Sequence, residues 1–114
     1  MTNCIFCKII EGEIPCSKVL ENDHFVVFQD VNPVAPVHVL VVPKMHFSNL
    51  NELFMKEPEL SGKILSIINE TASKLGVIES GYRLIMNSGE NGGQTVGHLH
   101  FHLIGGTKLN NKLV

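Results

Sequence analysis

Three histidines in a five-residue window, His98, His100 and His102, alternate with Leu99, Phe101 and Leu103 and run on through Ile104 into Gly105-Gly106. In an extended chain, residues two apart share a face, so this spacing predicts a strand over 98–104 carrying three imidazoles in a row. Neighbours in the row would stand roughly 6.5 Å apart, with the leucines and the phenylalanine turned to a core. In a helix, by contrast, His98 and His102 would stack and His100 would fall on the far side. Imidazole titrates near neutral pH, and its neutral form is both a proton carrier and a nucleophile. A row of imidazoles therefore suits phosphoryl chemistry, with one ring attacking and its neighbours handling protons. An exposed polar strand face is the plain alternative.

Other residues could do chemistry too. Cys4 and Cys7 form a C-x-x-C pair, which suits one end of a tetrahedral metal site, a redox pair or two free buried thiols. Ser88 to Gln94 is a polar, glycine-rich loop leading into the histidine window. Its backbone amides could approach an anion, although a Gly-Gly hairpin explains the composition equally well. Thr95 offers a hydroxyl next to that loop, or is simply a β-branched strand residue. Asp30, before Asn32-Pro33, is either a turn cap or a carboxylate able to accept from two adjacent hydroxyls.

The elements that must hold these groups follow from pattern. A short helical turn is expected over 5–10, ended by Gly12. Brief strands are expected at 19–21 and 24–29, joined through Asn22-Asp23. Val37 to Val42 reads as a β-run closed by Pro43, after a loop pinned by Pro33 and Pro36. Asn49 with Glu52 three residues later signals a short helix to about Met55. Pro58 to Leu75 is expected as the long helix, with Leu60, Ile64, Leu65, Ile67, Ile68, Ala72 and Leu75 as its apolar stripe. Tyr82 to Asn87 is a further strand. The expected fold class is α+β: an antiparallel sheet of about five strands, one long helix and one or two short ones. The 114 residues make a single domain, 1–114, with 107–114 expected as a loosely held tail.

Composition excludes some functions. A net charge of −2, with nine Lys and Arg and no basic run, argues against a nucleic-acid groove. No apolar run is long enough to span a bilayer, and Met1-Thr2-Asn3-Cys4 lacks the features of a signal peptide. A cytoplasmic location is expected. Three cysteines, an odd number, argue against a disulfide framework. Cys16 is expected to be a bystander.

His-φ-His-φ-His-φ-φ behind Gly-Gly-Gln-Thr resembles the signature of the histidine-triad (HIT) superfamily. Ile5-Phe6-Cys7-Lys8-Ile9-Ile10, Glu13-Ile14-Pro15, Phe28-Gln29-Asp30, Asn87 and Ala35 to His46 agree, so the resemblance spans Cys4 to Gly106. Within the superfamily the chain is similar to the branch of small homodimeric purine-nucleotide hydrolases. That likeness implies hydrolysis of nucleoside 5′-phosphoramidates through a nucleotidyl-histidine intermediate on His100, by chemistry that needs no metal. It further implies that His102 and His38 bind phosphate and tune the nucleophile, and that Asn87, Gly93, Gln94 and Thr95 lie at the phosphate or leaving group. Asp30 would hold the ribose hydroxyls, and Phe6, Ile9, Phe28 and Val31 would line a slot for the base. Cys4, Cys7, His46 and His98 resemble the structural zinc set of bacterial relatives. A dinucleoside polyphosphate hydrolase, or a purine-nucleotide-binding regulatory module with incidental hydrolysis, are the alternatives. Threonine at 95, where the family often has serine, and a tail without the aromatic end of eukaryotic relatives are departures.

Overall fold

The computed structural model describes residues 3–113; the first two residues of the expected leaderless N-terminus, and Val114 of the tail, lie outside them. Three helices and five strands follow in the order α1 (Ile5–Ile10), β1 (Lys18–Glu21), β2 (Phe25–Gln29), β3 (Val37–Pro43), α2 (Leu50–Lys56), α3 (Leu60–Lys74), β4 (Tyr82–Ile85) and β5 (Phe101–Gly105). The strands form one antiparallel sheet in the order β1-β2-β3-β5-β4. Among the described residues no helix is long and apolar enough to cross a membrane.

Local signals explain most boundaries. The Asn22 side chain accepts from the amides of His24 and Phe25 and closes the β1–β2 turn. Asn49 caps α2 by accepting from the Glu52 amide, while Glu52 reaches back to the Ser48 amide. Alternation then sorts the sheet. Odd positions (Phe25, Val27, Val39, Val41, Leu99, Phe101, Leu103) meet α2 and α3 in the larger core, and even positions (Val26, Phe28, Leu40, Val42) face Phe6 on α1. Leu99 is fully buried in the larger core. Leu99→Ala is expected to cost about 3 kcal/mol and lower the melting temperature by about 10 °C, read by calorimetry.

Four expectations are corrected. The long helix begins at Leu60 instead of Pro58, after a turn in which the Leu60 amide donates to the Glu57 carbonyl. Its stripe includes Thr71, fully buried with its hydroxyl donating to the Ile67 carbonyl at 2.7 Å, and omits Leu65, which is 65% exposed. One step of about 100° beyond buried Ile64 carries Leu65 off the core face, whereas Thr71 is one turn from Ile67 and Ile68. The histidine strand begins at Phe101, not His98, although its side chains keep the expected alternation. Beyond the Val41–Phe101 pair the ladder has no partner. Pro43 brings no N–H, its carbonyl lies 2.9 Å from the His98 imidazole, and the Leu99 amide donates instead to the Phe47 carbonyl. The strand expected over 82–87 stops at Ile85, opposite His102.

Candidate functional site

The second sheet face carries two clusters of imidazoles, one on each side of His100. In the first, backbone partners assign the tautomers of His100 and His38, and His38 in turn assigns that of His102. His100 Nδ1 lies 2.8 Å from the His98 carbonyl, which can only accept, so Nδ1 carries the proton and Nε2 carries the lone pair. The Val34 amide donates to His38 Nδ1 at 3.1 Å, which leaves the proton of neutral His38 on Nε2. That proton points at His102 Nδ1, 2.9 Å away, so neutral His102 carries its own proton on Nε2. The rings of His100 and His102 are 5.2 Å apart. A lone-pair nitrogen thus stands beside a relay with its proton at the outer end. Burial, then the neighbouring His100 and His38, holds His102 below the usual imidazole range, with Asp30 pulling the other way.

Asp30 joins this relay. Its Oδ1 accepts from the Asn32 amide at 2.8 Å, and Oδ2 stands 3.3 Å from His38 Nε2 and 4.0 Å from His102 Nδ1. Phe28 and Phe6 are buried edge-to-face at 5.8 Å, Ile9 is half-buried beside them, and Val31 projects into solvent, 90% exposed. Phe6 also meets His100 edge-on, with ring centres 5.1 Å apart.

The glycine-rich loop is held by its own side chains. Asn87 donates to the Gly92 carbonyl, and Gln94 accepts from the Gly89 amide while donating to the carbonyls of Ser48 and Val96. A Cβ on Gly92 would lie 2.6 Å from the Ser88 carbonyl oxygen, and Gly93 has φ +76°, so the turn itself needs both glycines. Thr95 is exposed and lines a trough of about 460 Å³ with Cys4, His46, Ser48 and Gly97. Among the described residues no hydrogen bond joins this loop to the imidazoles of 38, 100 or 102.

The second cluster brings together Cys4, Cys7, His46 and His98, with all four donor atoms within 4.8 Å of one another. His98 is wholly buried, and burial pushes it down to about 4, so its ring is neutral at ordinary pH. Its Nε2–H donates to the Pro43 carbonyl, which leaves one lone pair on Nδ1. That single lone pair faces Cys4 Sγ at 3.2 Å, Cys7 Sγ at 3.6 Å and His46 Nδ1 at 3.1 Å, and Cys7 Sγ lies 3.3 Å from His46 Nδ1. One lone pair satisfies one proton, whereas a central cation satisfies all four donors. Tetrahedral zinc with nitrogen and sulfur ligands has donor–donor edges of about 3.3–3.8 Å, close to these. The residues therefore fit such an ion, with the His98–Pro43 bond as the outer support that orients a ligand. Asp30, His38 and His102 also converge, but they fail the same test. The Val34 amide holds the His38 lone pair on Nδ1, so the nitrogen facing that centre carries a proton.

Three of these anchors, the Val34 amide and the carbonyls of Pro43 and His98, were missed in the sequence. Backbone groups have no residue-type signal; the proline-pinned loop around Val34 was the nearest clue.

A family model described as "HIT domain" matches residues 11–109. The chain belongs to the HIT family. A HIT-like protein of Helicobacter pylori is 51% identical over 104 residues, covering 91% of this chain and 97% of that protein. The purine nucleoside phosphoramidase of Escherichia coli is 39% identical over 105 residues, 92% of this chain and 88% of that enzyme. Among solved structures, a histidine triad protein from Clostridium difficile is similar at a TM-score of 0.92 and 48% identity, covering 97% of this chain and 96% of that one. The HIT fold thus accounts for the sheet order and for the three helices around it.

Proposed function

We propose that this HIT-family hydrolase cleaves purine nucleoside 5′-phosphoramidates, with His100 as the nucleophile. The observation that carries the reading is the His100 Nδ1–H held on the His98 carbonyl, which leaves Nε2 free to attack beside the His38–His102 relay. His100 Nε2 bonds to the α-phosphorus and the P–N bond breaks. The amine leaves with that electron pair and takes up a proton that the exposed Thr95 hydroxyl relays from solvent. His102 Nε2–H donates to a phosphate oxygen as charge develops there. Water then cleaves the phosphorus–imidazole bond and releases the nucleoside monophosphate and free His100. Phosphoryl transfer needs little beyond an in-line nucleophile and fixed donors, and this constellation supplies both.

In this reading Asp30 accepts from the ribose hydroxyls, and Phe6, Ile9, Phe28 and Val31 shape the base slot. Asn87, Gly93 and Gln94 keep the loop in place at the phosphate. Cys4, Cys7, His46 and His98 would hold zinc, whose chemistry there is structural: four protein ligands leave no open position for water. The protein works as a homodimer, supported by the edge strand β4, which leaves Tyr82 and Leu84 partly exposed. A cytoplasmic location accords with the free thiols of Cys4, Cys7 and Cys16.

The deciding experiment compares turnover of adenosine 5′-phosphoramidate and a diadenosine polyphosphate, and maps the labelled adduct after acid-free quenching. Faster turnover of the phosphoramidate with label on His100 is expected; label on another residue, or preference for the polyphosphate, overturns the reading.

The relay also predicts a pH signature. Protonating His102 removes the acceptor for His38 Nε2–H, so kcat/KM falls with falling pH through a value below the ordinary imidazole range. Asp30 is the partner that raises His102, so Asp30→Asn is expected to move that acidic limb to still lower pH. An unmoved or upward-moving limb in the variant's pH profile would refute the coupling.

A further inference from the structure

His98 belongs to both clusters at once. Its side chain sits among the thiols and His46, while its backbone carbonyl takes the Nδ1–H of His100. A second link runs in parallel. Phe6 lies between the two cysteines on α1 and meets edge-on both His98, at 5.7 Å and 78°, and His100, at 5.1 Å and 77°. α1 has only six residues, far too few to be stable alone, so its position depends on what its side chains touch. Those contacts are the capping by Cys4, the packing of Phe6, Ile9 and Ile10 on the sheet, and the Cys/His cluster.

We propose that the cluster is a positioning device for the nucleophile: a metal held by Cys4, Cys7, His46 and His98 fixes the His98 carbonyl and the Phe6 ring against His100. Cys4, Cys7 and His46 are positioning residues that touch no substrate atom; Phe6, which also shapes the proposed base slot, acts here through its edge-on contact with His100. The catalytic meaning of the coupling rests on His100 being the nucleophile; the physical coupling does not. Anchors independent of metal, His98 to Pro43 and Leu99 to Phe47, keep the sheet in register when the metal leaves. Metal loss is therefore expected to loosen one ring within a folded protein. A clamp serving stability alone would lower the melting temperature and leave His100 untouched.

The test follows the His100 ring nitrogens by long-range proton–nitrogen NMR in protein labelled at histidine. Zinc-loaded protein, the same protein stripped by chelator, and zinc-loaded Phe6→Leu are compared, and circular dichroism checks folding. The loaded protein is expected to show a pure Nδ1–H tautomer for His100. On stripping, that signal shifts towards mixed tautomers, and kcat for adenosine 5′-phosphoramidate falls about tenfold while KM moves less than about threefold. Re-added zinc restores both. Phe6→Leu, with zinc still bound, shows the same change in smaller measure. A His100 spectrum unchanged in the stripped, folded protein and in Phe6→Leu overturns the proposal. If stripping unfolds the chain, Phe6→Leu decides alone. If loaded protein does not cleave the phosphoramidate, the functional reading fails while the NMR arm still reads the coupling.

Discussion

Replacing His100 with alanine is expected to lower kcat for adenosine 5′-phosphoramidate by about 10⁴-fold or more, with the fold intact. The loss is large because the reaction proposed here has two displacements at phosphorus, and both need the imidazole. Without it, water must attack the phosphoramidate directly, and only the donors around the phosphate still lower the barrier. His100 is buried against Phe6, so the truncation also leaves a void; its effect on melting temperature must be measured beside the kinetics. Binding of the nucleoside monophosphate separates the two effects, since it should survive in the variant. Mass spectrometry of quenched reactions supplies the second check: the wild type carries a nucleotidyl adduct and the variant does not. A folded variant retaining a tenth of the activity would place the nucleophile elsewhere.

Stripping zinc, or making Cys7→Ala, is expected to lower the melting temperature by about 10 °C, equivalent to about 3 kcal/mol for a domain of this size. The figure is well below the binding energy of a zinc-finger peptide because a separate apolar core remains, built around Phe25, Leu99 and Leu103. The metal-free cluster also strands no charge on its two buried members, His98 and Cys7. Burial keeps His98 neutral down to about 4. Burial of Cys7, followed by the hydrogen bond its S–H makes to Cys4, pushes that thiol up. The raised thiol gives the sign of the pH effect. Zinc takes thiolates, so below the thiol range each bound ion must displace protons, and its affinity rises as pH rises. The gap in melting temperature between zinc-loaded and chelator-treated protein should therefore widen from pH 6 to 8 in differential scanning fluorimetry. Equal melting temperatures at every pH would show that the four residues hold no stabilising metal.

Much of the fold was legible because its signals are local. Alternation in 98–104 already separates an apolar face from the face that carries the imidazoles. Residues 25–29 and 37–43 read as apolar β-runs whose two faces only packing distinguishes, and the Asn22 and Asn49 caps mark where chain direction changes. The errors are of two kinds: within α3 residue type misleads about which side chains the helix period buries, and at the histidine strand a distant partner overrides the local pattern. Leu65 reads as core by composition but points away, and Thr71 reads as polar but is satisfied by the carbonyl of Ile67. The histidine strand starts late because Pro43 ends the partner strand, a fact that no periodicity within 98–104 can carry.

What the sequence determined by itself is which side chains share a face, since a strand repeats every two residues whatever surrounds it. Only the tertiary structure decided which nitrogen of His38, His98, His100 and His102 holds a proton. That depends on a carbonyl or amide the fold brings alongside: Pro43 beside His98, Val34 beside His38, and the bend at His98 beside His100. The split of one row of histidines into a metal cluster and a nucleophile follows from those backbone partners, because a ring whose proton is fixed on one nitrogen must offer its lone pair from the other.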